Sequence, residues 1–260
     1  MKIVILGSGN VATHLTLALS RQHNILTVYS RNRDNAEQLA NKIKTKATNS
    51  IKEIPATADI YIIAVNDDAI GTVVDDLPQL NGIVAHTAGS IPIEALNRFS
   101  NHGVFYPFQT FSKDKDIDLS NVPILIEGNN AETFQKLNDL AVSVTNKIYN
   151  VNSAQRLTLH ISAVFACNFV NYFYHIAETL LKEADLPFEL LLPLIDETAQ
   201  KVHITSPLNA QTGPAIRNDR NTIQKHLKVL QNAGANDLAD IYSKHSKEIS
   251  ELYRHDNPTK

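Results

Sequence analysis

The chain has 260 residues, a formal net charge of −3 and 43% hydrophobic residues, which is enough for a folded core. The small, mixed charge argues against nucleic acid or an anionic membrane as a partner, and no run approaches the roughly 18 apolar residues of a membrane span. The single cysteine, Cys167, excludes an intrachain disulfide and gives no support for an oxidising compartment.

Over the first 150 residues, short apolar runs alternate with stretches whose apolar residues recur at helical spacing. Strands are predicted at residues 3–6, 25–29, 60–65, 82–85, 104–106, 124–127 and 147–149. Helices are predicted at residues 11–19, 34–43, 67–77 and 131–142. This alternation predicts a doubly wound α/β sheet over residues 1–150.

After residue 150 the apolar spacing is helical throughout. Helices are predicted at residues 153–184, 187–204, 219–232 and 236–254. Asn152 or Ser153 can cap the first of these helices, and Pro187 stands where the second begins. The change of pattern predicts a domain boundary near residue 150, followed by an all-helical domain over residues 151–260.

The first strand leads into a G-x-G-x-x-A fingerprint made of Gly7, Ser8, Gly9, Asn10, Val11 and Ala12. Between a strand and a helix, this pattern predicts the pyrophosphate site of a Rossmann-type dinucleotide-binding domain. Gly7 allows the tight turn, Gly9 lets the backbone approach the pyrophosphate, and Ala12 keeps the helix close to the sheet. The alternative is a plain strand-turn-helix corner.

The second strand ends without the acidic residue that usually holds the ribose 2′-hydroxyl of NAD. Ser30 and Arg31 stand there instead, and a hydroxyl beside a planar cation suits a 2′-phosphate. We therefore predict NADP rather than NAD as the cofactor. The alternative is that Arg31 and Arg33 are merely solvated loop charges.

Further cofactor contacts are predicted at the carboxyl ends of two later strands, by Val65, Asn66, Ala88 and Gly89. Asn66 can reach the ribose, and Gly89 permits close backbone approach near the nicotinamide. Asp67 and Asp68 are interpreted as helix-capping residues rather than as catalysts. His86 either polarises a substrate or is a hydrogen-bonded structural histidine.

Five segments resemble one family over essentially the whole chain: GSGNVA at 7–12, AVNDD at 64–68, HTAGS at 86–90, YPFQTF at 106–111 and QTGPAIRND at 211–219. The family is that of NADP oxidoreductases with a Rossmann-like domain and a helical domain of unknown function. It is related to pyrroline-carboxylate reductases, the 6-phosphogluconate dehydrogenase superfamily and deazaflavin-dependent NADP oxidoreductases. The resemblance implies NADP(H) in the first domain, a helical dimerisation domain and a small-molecule substrate.

One catalytic feature of the hydroxyacid dehydrogenase branch is missing. That branch carries a lysine four residues before an asparagine on the first long helix, whereas here His160 is followed at that spacing by Val164. The mechanism of that branch therefore does not transfer to this chain.

Polar side chains fall within about 80° of arc on the predicted long helix. They are His160, Asn168, Asn171 and His175. In relatives of this architecture the start of the helix faces the nicotinamide, so the resemblance makes His160 a candidate proton donor and Asn168 a hydrogen-bonding partner. The alternative for both is a polar network between helices at a dimer contact.

Two loops supply further candidates. Arg217 can clamp a substrate carboxylate, or it pairs with Asp219, a predicted helix cap, or with a helix end. Tyr106 and the residues after it line a cleft, or form an ordinary turn with apolar anchors.

Together these features predict hydride transfer between NADP(H) and a small carbonyl or imine compound, carrying a carboxylate. The alternatives are a non-catalytic NADP(H)-binding sensor and a deazaflavin-dependent NADP reductase. A helix of about 32 residues is about 48 Å long, which exceeds the width of a 110-residue domain, so we expect a homodimer through the helical domain. Because Met1 leads straight into an apolar run, we expect no targeting peptide. We also expect a soluble, cytoplasmic protein, and we predict no metal site.

Overall fold

The computed structural model describes residues 1–112 and 117–255. The chain divides into two compact units, Met1–Phe173 and Tyr174–Lys260. The predicted boundary near residue 150 marks the last strand, whereas the first unit continues into the helical region; the predicted domain limits stay a prediction. Within the described ranges, no helix combines the length and apolar character needed to cross a bilayer.

The described residues of the first unit form an eight-stranded sheet. Its strands are β1 (Lys2–Leu6), β2 (Asn24–Tyr29), β3 (Lys46–Thr48), β4 (Ile60–Ile63), β5 (Ile83–His86), β6 (His102–Pro107), β7 (Ile124–Gly128) and β8 (Ile148–Asn150). The helices around it are α1 (Asn10–Leu19), α2 (Arg33–Ile43), α3 (Asp67–Asp76), α4 (Ala131–Val142) and α5 (Ser153–Ala163). The strand order is β3-β2-β1-β4-β5-β6-β7-β8, which confirms the predicted doubly wound sheet.

The sheet is buried on both faces because its central strands are apolar at nearly every position. Ile3 and Ile5 of β1 pack into one hydrophobic cluster, whereas Val4 and Leu6 pack into a second cluster. Continuous apolar runs of this kind are typical of parallel strands covered by helices on both sides. The strands before β4 are added on one side of β1, and β4 and the later strands on the other side. In a sheet of this kind the ligand binds between β1 and β4, beyond the carboxyl ends of the strands.

Two features of the sheet differ from the sequence prediction. The edge strand β3 was not predicted, because its three residues contain no apolar run and only Thr48 is buried. The pair β6 and β7 is antiparallel, whereas the neighbouring pairs are parallel. An antiparallel neighbour needs no crossover helix, and the described part of this connection contains only a short 3₁₀ turn, Leu119–Asn121.

The prediction of a single helix over residues 153–184 is wrong. The structure has α5, then a π-helical segment at Val164–Phe169, then α6 (Val170–Glu183). Asn152 begins α5 with a capping box, in which its side chain accepts from the Gln155 backbone N–H. The π turn widens the helix and changes which side chains share a face, and such turns are frequent at functional sites.

In the second unit, α7 (Leu192–Ile204), α8 (Pro207–Ala210), α9 (Arg220–Asn232) and α10 (Asn236–His255) follow α6. The sequence predicts that Pro187 begins α7, which is wrong. Pro187 precedes a 3₁₀ turn at Phe188–Leu191, and α7 begins after that turn. The predicted cap of α9 is confirmed, because the Asp219 carboxylate accepts from the Thr222 backbone N–H at 3.1 Å.

Candidate active site

The turn between β1 and α1 needs glycine at its first position. Gly7 has φ +137°, and a Cβ there would lie 2.0 Å from the Ala64 carbonyl oxygen. The Gly7 N–H donates to the Tyr29 carbonyl at 2.8 Å. The close approach of β1 to the end of β4 therefore requires this glycine for the fold itself.

Gly9 is a glycine for a different reason. It precedes α1 with φ −75°, a conformation open to any residue, and a Cβ there would meet nothing within 4 Å. No side chain caps α1, so the first backbone N–H groups of this ten-residue helix are free of side-chain acceptors. The open space beside Gly9 and the uncapped positive end of α1 fit a dinucleotide pyrophosphate.

The end of β2 lies beside this turn. The Ser8 hydroxyl donates to the Ser30 hydroxyl at 2.9 Å, which joins the phosphate turn to the residue before Arg31. Arg31 is exposed and forms no ion pair within the described ranges, whereas Arg33 is paired with Glu37 at 2.7 Å. Arg31 is thus the cation beside the turn that an anionic ligand can engage.

Replacing Arg31 by alanine is expected to weaken NADPH binding by about tenfold to a hundredfold, the worth of a charge-assisted contact to a 2′-phosphate. NADH binding should barely change, because NADH lacks that phosphate. Titration of both cofactors checks this expectation. Arg33→Ala is the matched control, because Arg33 is already paired with Glu37 in the wild-type protein. Equal losses for the two cofactors, or none, would remove Arg31 from the 2′-phosphate site.

The remaining predicted cofactor residues lie along the same edge of the sheet. Val11 packs half-buried against the core, and the Asn10 side chain donates to the Phe111 carbonyl at 2.8 Å. Val65 and Asn66 follow β4, and exposed Asn66 accepts from the Ala69 N–H at 2.9 Å through its carbonyl. Their contacts with a cofactor stay a prediction.

The predicted role of Asp67 and Asp68 at the start of α3 is confirmed for the first turn and corrected for the N-cap. Asn66 holds the N-cap position of α3, and both acids lie in the first turn. The Asp67 carboxylate accepts a hydrogen bond from the Ser90 hydroxyl, which ties the start of α3 to the loop after β5. This contact joins residues 23 positions apart and has no local sequence signal.

His86 ends β5 and is fully buried. Burial, and then the charge of Arg156, lower the pKa of His86 to about 4, against the opposing effect of the Pro92 carbonyl. The ring is therefore neutral at physiological pH, and its Nδ1 accepts the Ala88 backbone N–H at 3.2 Å. His86 orients the backbone that leads to Gly89.

Gly89, Tyr106 and His160 meet at one place. A Cβ on Gly89 would lie 2.6 Å from His160 Nδ1 and 3.0 Å from Tyr106 Cζ, so these two rings occupy the space of the missing side chain. The Tyr106 hydroxyl lies 3.2 Å from His160 Nδ1. Burial, and then the charge of Asp67, raise the pKa of Tyr106, while Arg156 opposes them. Tyr106 is therefore a neutral phenol at physiological pH.

Both rings line a cavity of about 340 Å³ within the first unit. Its other lining residues are Phe108, Gln109, Thr110, Phe111, Ala163, Val164, Cys167 and Asn168. The structure thus brings His160 and Asn168 together, and it places the segment after Tyr106 in the wall, as the cleft interpretation predicts. Cys167, an exposed thiol on the π segment, was not among the predicted site residues.

The predicted polar stripe does not continue beyond the π segment. Asn171 is exposed, and His175 pairs with Glu178 at 3.7 Å on the surface of the second unit. Uniform helical spacing placed all four polar residues together, but the π turn breaks that spacing.

Arg217 lies in the second unit, exposed in the turn before α9. The hydrogen bonds from Thr222 are the main cause that lowers the pKa of Asp219, and the charge of Arg217 adds a smaller effect. Within the described residues Arg217 forms no ion pair with Asp219, whereas the alternative of pairing with a helix end stays a prediction. Its predicted role at a substrate carboxylate stays a prediction.

The fold and the phosphate turn define a Rossmann-type dinucleotide-binding protein, and family models agree with this class. Residues 2–88 match the model described as NADP oxidoreductase, coenzyme F420-dependent. Residues 122–249 match a domain of unknown function, DUF2520. A comparison with curated protein sequences finds no match.

Solved structures of three organisms resemble the chain over nearly its whole length. A putative NADP oxidoreductase from Bacteroides fragilis is 41% identical, with a TM-score of 0.87, and the match covers 96% of this chain and 98% of that one. An imine reductase from Myxococcus stipitatus in complex with NADP⁺ is 14% identical, with coverage of 97% and 95% and a TM-score of 0.68. A 1-pyrroline-5-carboxylate reductase from Streptococcus pyogenes is 15% identical, with coverage of 96% and 98% and a TM-score of 0.63.

At 41% identity over almost the full chain, the Bacteroides fragilis protein shows the family. The chain belongs to the family of NADP oxidoreductases with a Rossmann-like first domain and this helical domain. The predicted family, the enzyme class and NADP as its cofactor are thereby confirmed. The two more distant likenesses show the fold alone.

Proposed function

We propose that the chain catalyses NADPH-dependent reduction of a C=O or C=N bond in a small molecule, with His160 as the proton donor. The observation that carries this proposal is the 3.2 Å contact between Tyr106 Oη and His160 Nδ1, in a cavity of about 340 Å³ next to Gly89. A cavity of this size suits a small substrate. Gly89 follows the carboxyl end of β5, the edge at which such sheets bind their ligands.

Bound NADPH supplies the hydride, and the chain must supply the proton that completes the reduction. The Tyr106 hydroxyl, a neutral phenol, lies 3.2 Å from His160 Nδ1; where it donates a hydrogen bond to that nitrogen, the ring proton of His160 is on Nε2. Nε2 has no hydrogen-bond partner in the described chain, and it gives its proton to the substrate oxygen or nitrogen. As Nε2 releases its proton, the Tyr106 hydroxyl proton moves to Nδ1, so the ring never becomes an imidazolate, and the Tyr106 phenolate is then reprotonated from solvent.

The substrate is proposed to carry a carboxylate, and this proposal rests on the candidate role of Arg217. Among the described residues that line the cavity there is no lysine or arginine, so a carboxylate held by this unit would lack a cation there. If Arg217 binds the carboxylate of a substrate, a keto or imino acid should be preferred over its uncharged counterpart, and Arg217→Gln should remove the preference.

The experiment is a screen of paired compounds, each keto acid or cyclic imino acid beside the same molecule without its carboxylate. Loss of the NADPH absorbance band on addition of one member supports the reductase. NADPH bound tightly and oxidised by no compound contradicts it, and favours the alternative of a non-catalytic NADP(H) sensor.

A deazaflavin as the second reactant is a separate candidate. It is favoured by the family model that matches residues 2–88, which describes a coenzyme F420-dependent NADP oxidoreductase. That match covers the cofactor half of the sheet and none of the residues that line the cavity. Coenzyme F420 added to the same assay tests this candidate, because its reduction would consume NADPH with no carbonyl or imine present.

The chain is further proposed to be a homodimer through its helical region. Apolar side chains on the π segment and the start of α6 are exposed in the first unit: Phe165 (65%), Phe169 (45%), Tyr172 (51%) and Phe173 (40%). Burying such a surface against a second copy of the chain is favourable in free energy compared with leaving it in water. Contiguous exposed apolar patches therefore mark interaction sites.

Light scattering at micromolar concentration should therefore show a dimer, with several thousand Å² buried in total. Phe165→Glu together with Phe169→Glu should shift the mass towards the monomer, since two charges would be buried in the contact. Lys136→Glu, on exposed α4, is the control and should leave the mass unchanged. A monomeric wild-type protein would contradict the proposal.

A further inference from the structure

A buried arginine lies next to the proposed proton donor and belongs to no predicted role. Arg156 in α5 is 1% exposed, and its guanidinium contacts the Glu127 carboxylate at the end of β7. A second nitrogen, Nη2, donates to the Ile91 carbonyl at 2.7 Å and to the Ser153 hydroxyl at 3.1 Å. Arg156 thereby connects β7, the loop after β5 and the first turn of α5.

Glu127 fixes the same three segments from the other side. Its carboxylate accepts the Ser153 backbone N–H at 3.0 Å and the Ser153 hydroxyl at 2.8 Å, at the N-terminus of α5. The Ser153 hydroxyl in turn accepts from the Ile93 N–H at 3.0 Å. The ion pair is therefore not an isolated contact, since it joins the start of α5 to the loop that holds Gly89.

Stability alone is a poor reason for this arrangement. The Arg156 Nε is buried and finds no partner in the described chain. Taking an ion pair out of water costs free energy, and replacing such a pair by apolar residues is often neutral or stabilising. An arginine that stays buried with one unsatisfied N–H is better explained by what it positions.

Two parts of the proposed site meet at Arg156. His160 lies one helical turn after it, on the same face of α5. Ile91, whose carbonyl Arg156 holds, lies two residues after Gly89. Because the Gly89 backbone packs directly against the His160 ring, the Arg156–Ile91 bond controls the separation of these two segments. A small shift there would break the contact between His160 and Tyr106.

The charge of Arg156 also acts on His86 and Tyr106. It lowers the pKa of His86, after burial and against the Pro92 carbonyl, so that Nδ1 of the neutral ring can accept the Ala88 N–H. It also opposes the rise in the pKa of Tyr106 that burial and Asp67 cause. The groups that face Tyr106 are thus Asp67 from α3, and His160 and Arg156 from α5.

We propose that Arg156, held by Glu127, is a positioning residue that sets the loop after β5 against α5 and so aligns the His160–Tyr106 pair for proton donation. This inference rests on the proposed reductase function. Arg156 touches neither substrate nor reacting atoms in this role; it acts through Gly89 and His160.

Three variants separate the contributions: Arg156→Met, Glu127→Gln, and the two combined. The combined variant removes both charges while keeping side-chain volume, so it preserves folding where a single buried charge would not. Lys136→Met is the control, because Lys136 pairs with Glu132 at 2.8 Å on the surface of α4. Thermal unfolding and NADPH titration should give wild-type values for the combined variant, since the phosphate turn is unchanged.

The first readout needs no substrate. Imidazole NMR should show His160 as a single tautomer in the wild-type protein and as a mixture in the combined variant. In Arg156→Met the pKa of His86 should rise. The phenol titration of Tyr106, taken as the difference spectrum against Tyr106→Phe, should move to higher pH in Arg156→Met, because the charge of Arg156 lowers the pKa of Tyr106.

A mixed His160 tautomer in the combined variant, at wild-type thermal stability and NADPH affinity, supports the positioning role, because a charge effect alone would leave the contact between His160 and Tyr106 intact. An unchanged His160 tautomer and an unchanged Tyr106 titration in all three variants would overturn it. So would parallel losses of NADPH binding and thermal stability in the combined variant, which would make the pair a general structural element.

The second readout is turnover, once a substrate is found. The combined variant should lower kcat by about 10–10²-fold with little change in KM, the usual cost of a small misplacement of reacting groups. A kcat within twofold of the wild type would overturn the proposal. If no compound is reduced by the wild-type protein, the reductase function fails, while the NMR readout still decides whether Arg156 aligns the pair.

Discussion

Replacing His160 by glutamine should lower turnover by about 10²–10⁴-fold, the usual worth of a general acid, while the protein still folds and binds NADPH. Glutamine fills similar space beside Gly89 but cannot give up a proton near neutral pH. The phosphate turn lies elsewhere at the sheet edge, so the Kd for NADPH should stay at its wild-type value. Steady-state kinetics and NADPH titration measure the two effects separately.

His175→Gln is the matched control, because His175 is an exposed histidine paired only with Glu178. Its turnover should equal that of the wild type. Tyr106→Phe is the companion variant, and it should lower turnover to a similar degree, because without the phenol no proton reaches Nδ1 as Nε2 gives up its own. A larger loss in Tyr106→Phe would make Tyr106 the donor. An unchanged rate and pH profile in His160→Gln would remove His160 from the mechanism.

Gly9→Val is the second large effect expected, a loss of at least about a hundredfold in affinity for both NADPH and NADH. A Cβ at this position meets nothing within 4 Å, and its φ of −75° suits any residue, so the protein should fold normally. The branched side chain would instead occupy the space that the pyrophosphate needs. Titration of both cofactors, with circular dichroism as the check on folding, measures this.

Two other glycines frame that experiment. Gly71 on α3 also has open space, so Gly71→Val should fold and bind both cofactors with wild-type affinity. Gly7→Val should fail to fold, because its Cβ would lie 2.0 Å from the Ala64 carbonyl oxygen. Wild-type affinity in Gly9→Val would mean that the cofactor does not approach this turn.

The parts of the fold that the sequence predicts are those with a local signal. The apolar run of β1, the following glycines and the apolar spacing of α1 lie within the first 19 residues, and they are sufficient to define the dinucleotide turn. The edge strand β3 lacks such a signal. The π segment has none either, because it depends on which carbonyl each N–H selects rather than on residue type.

The site is only partly predictable for the same reason. The family resemblance indicates His160 and the end of a strand indicates Gly89, but the contact of Tyr106 with His160 joins residues 54 positions apart. The pair of Glu127 and Arg156 is 29 positions apart and looks like two ordinary surface charges in the sequence. Only the packing of α5 on the sheet brings these groups together.

The central claim, that the chain moves a hydride from NADPH to a small carbonyl or imine, is tested most directly by isotope transfer. The protein would be incubated with the paired compounds and NADPH that carries deuterium at the transferred position, and the products analysed by mass spectrometry. We expect a reduced product that contains the deuterium in wild-type protein and far less of it in His160→Gln. NADPH that binds tightly while no product gains deuterium would contradict the reductase and leave a nucleotide-binding protein in its place.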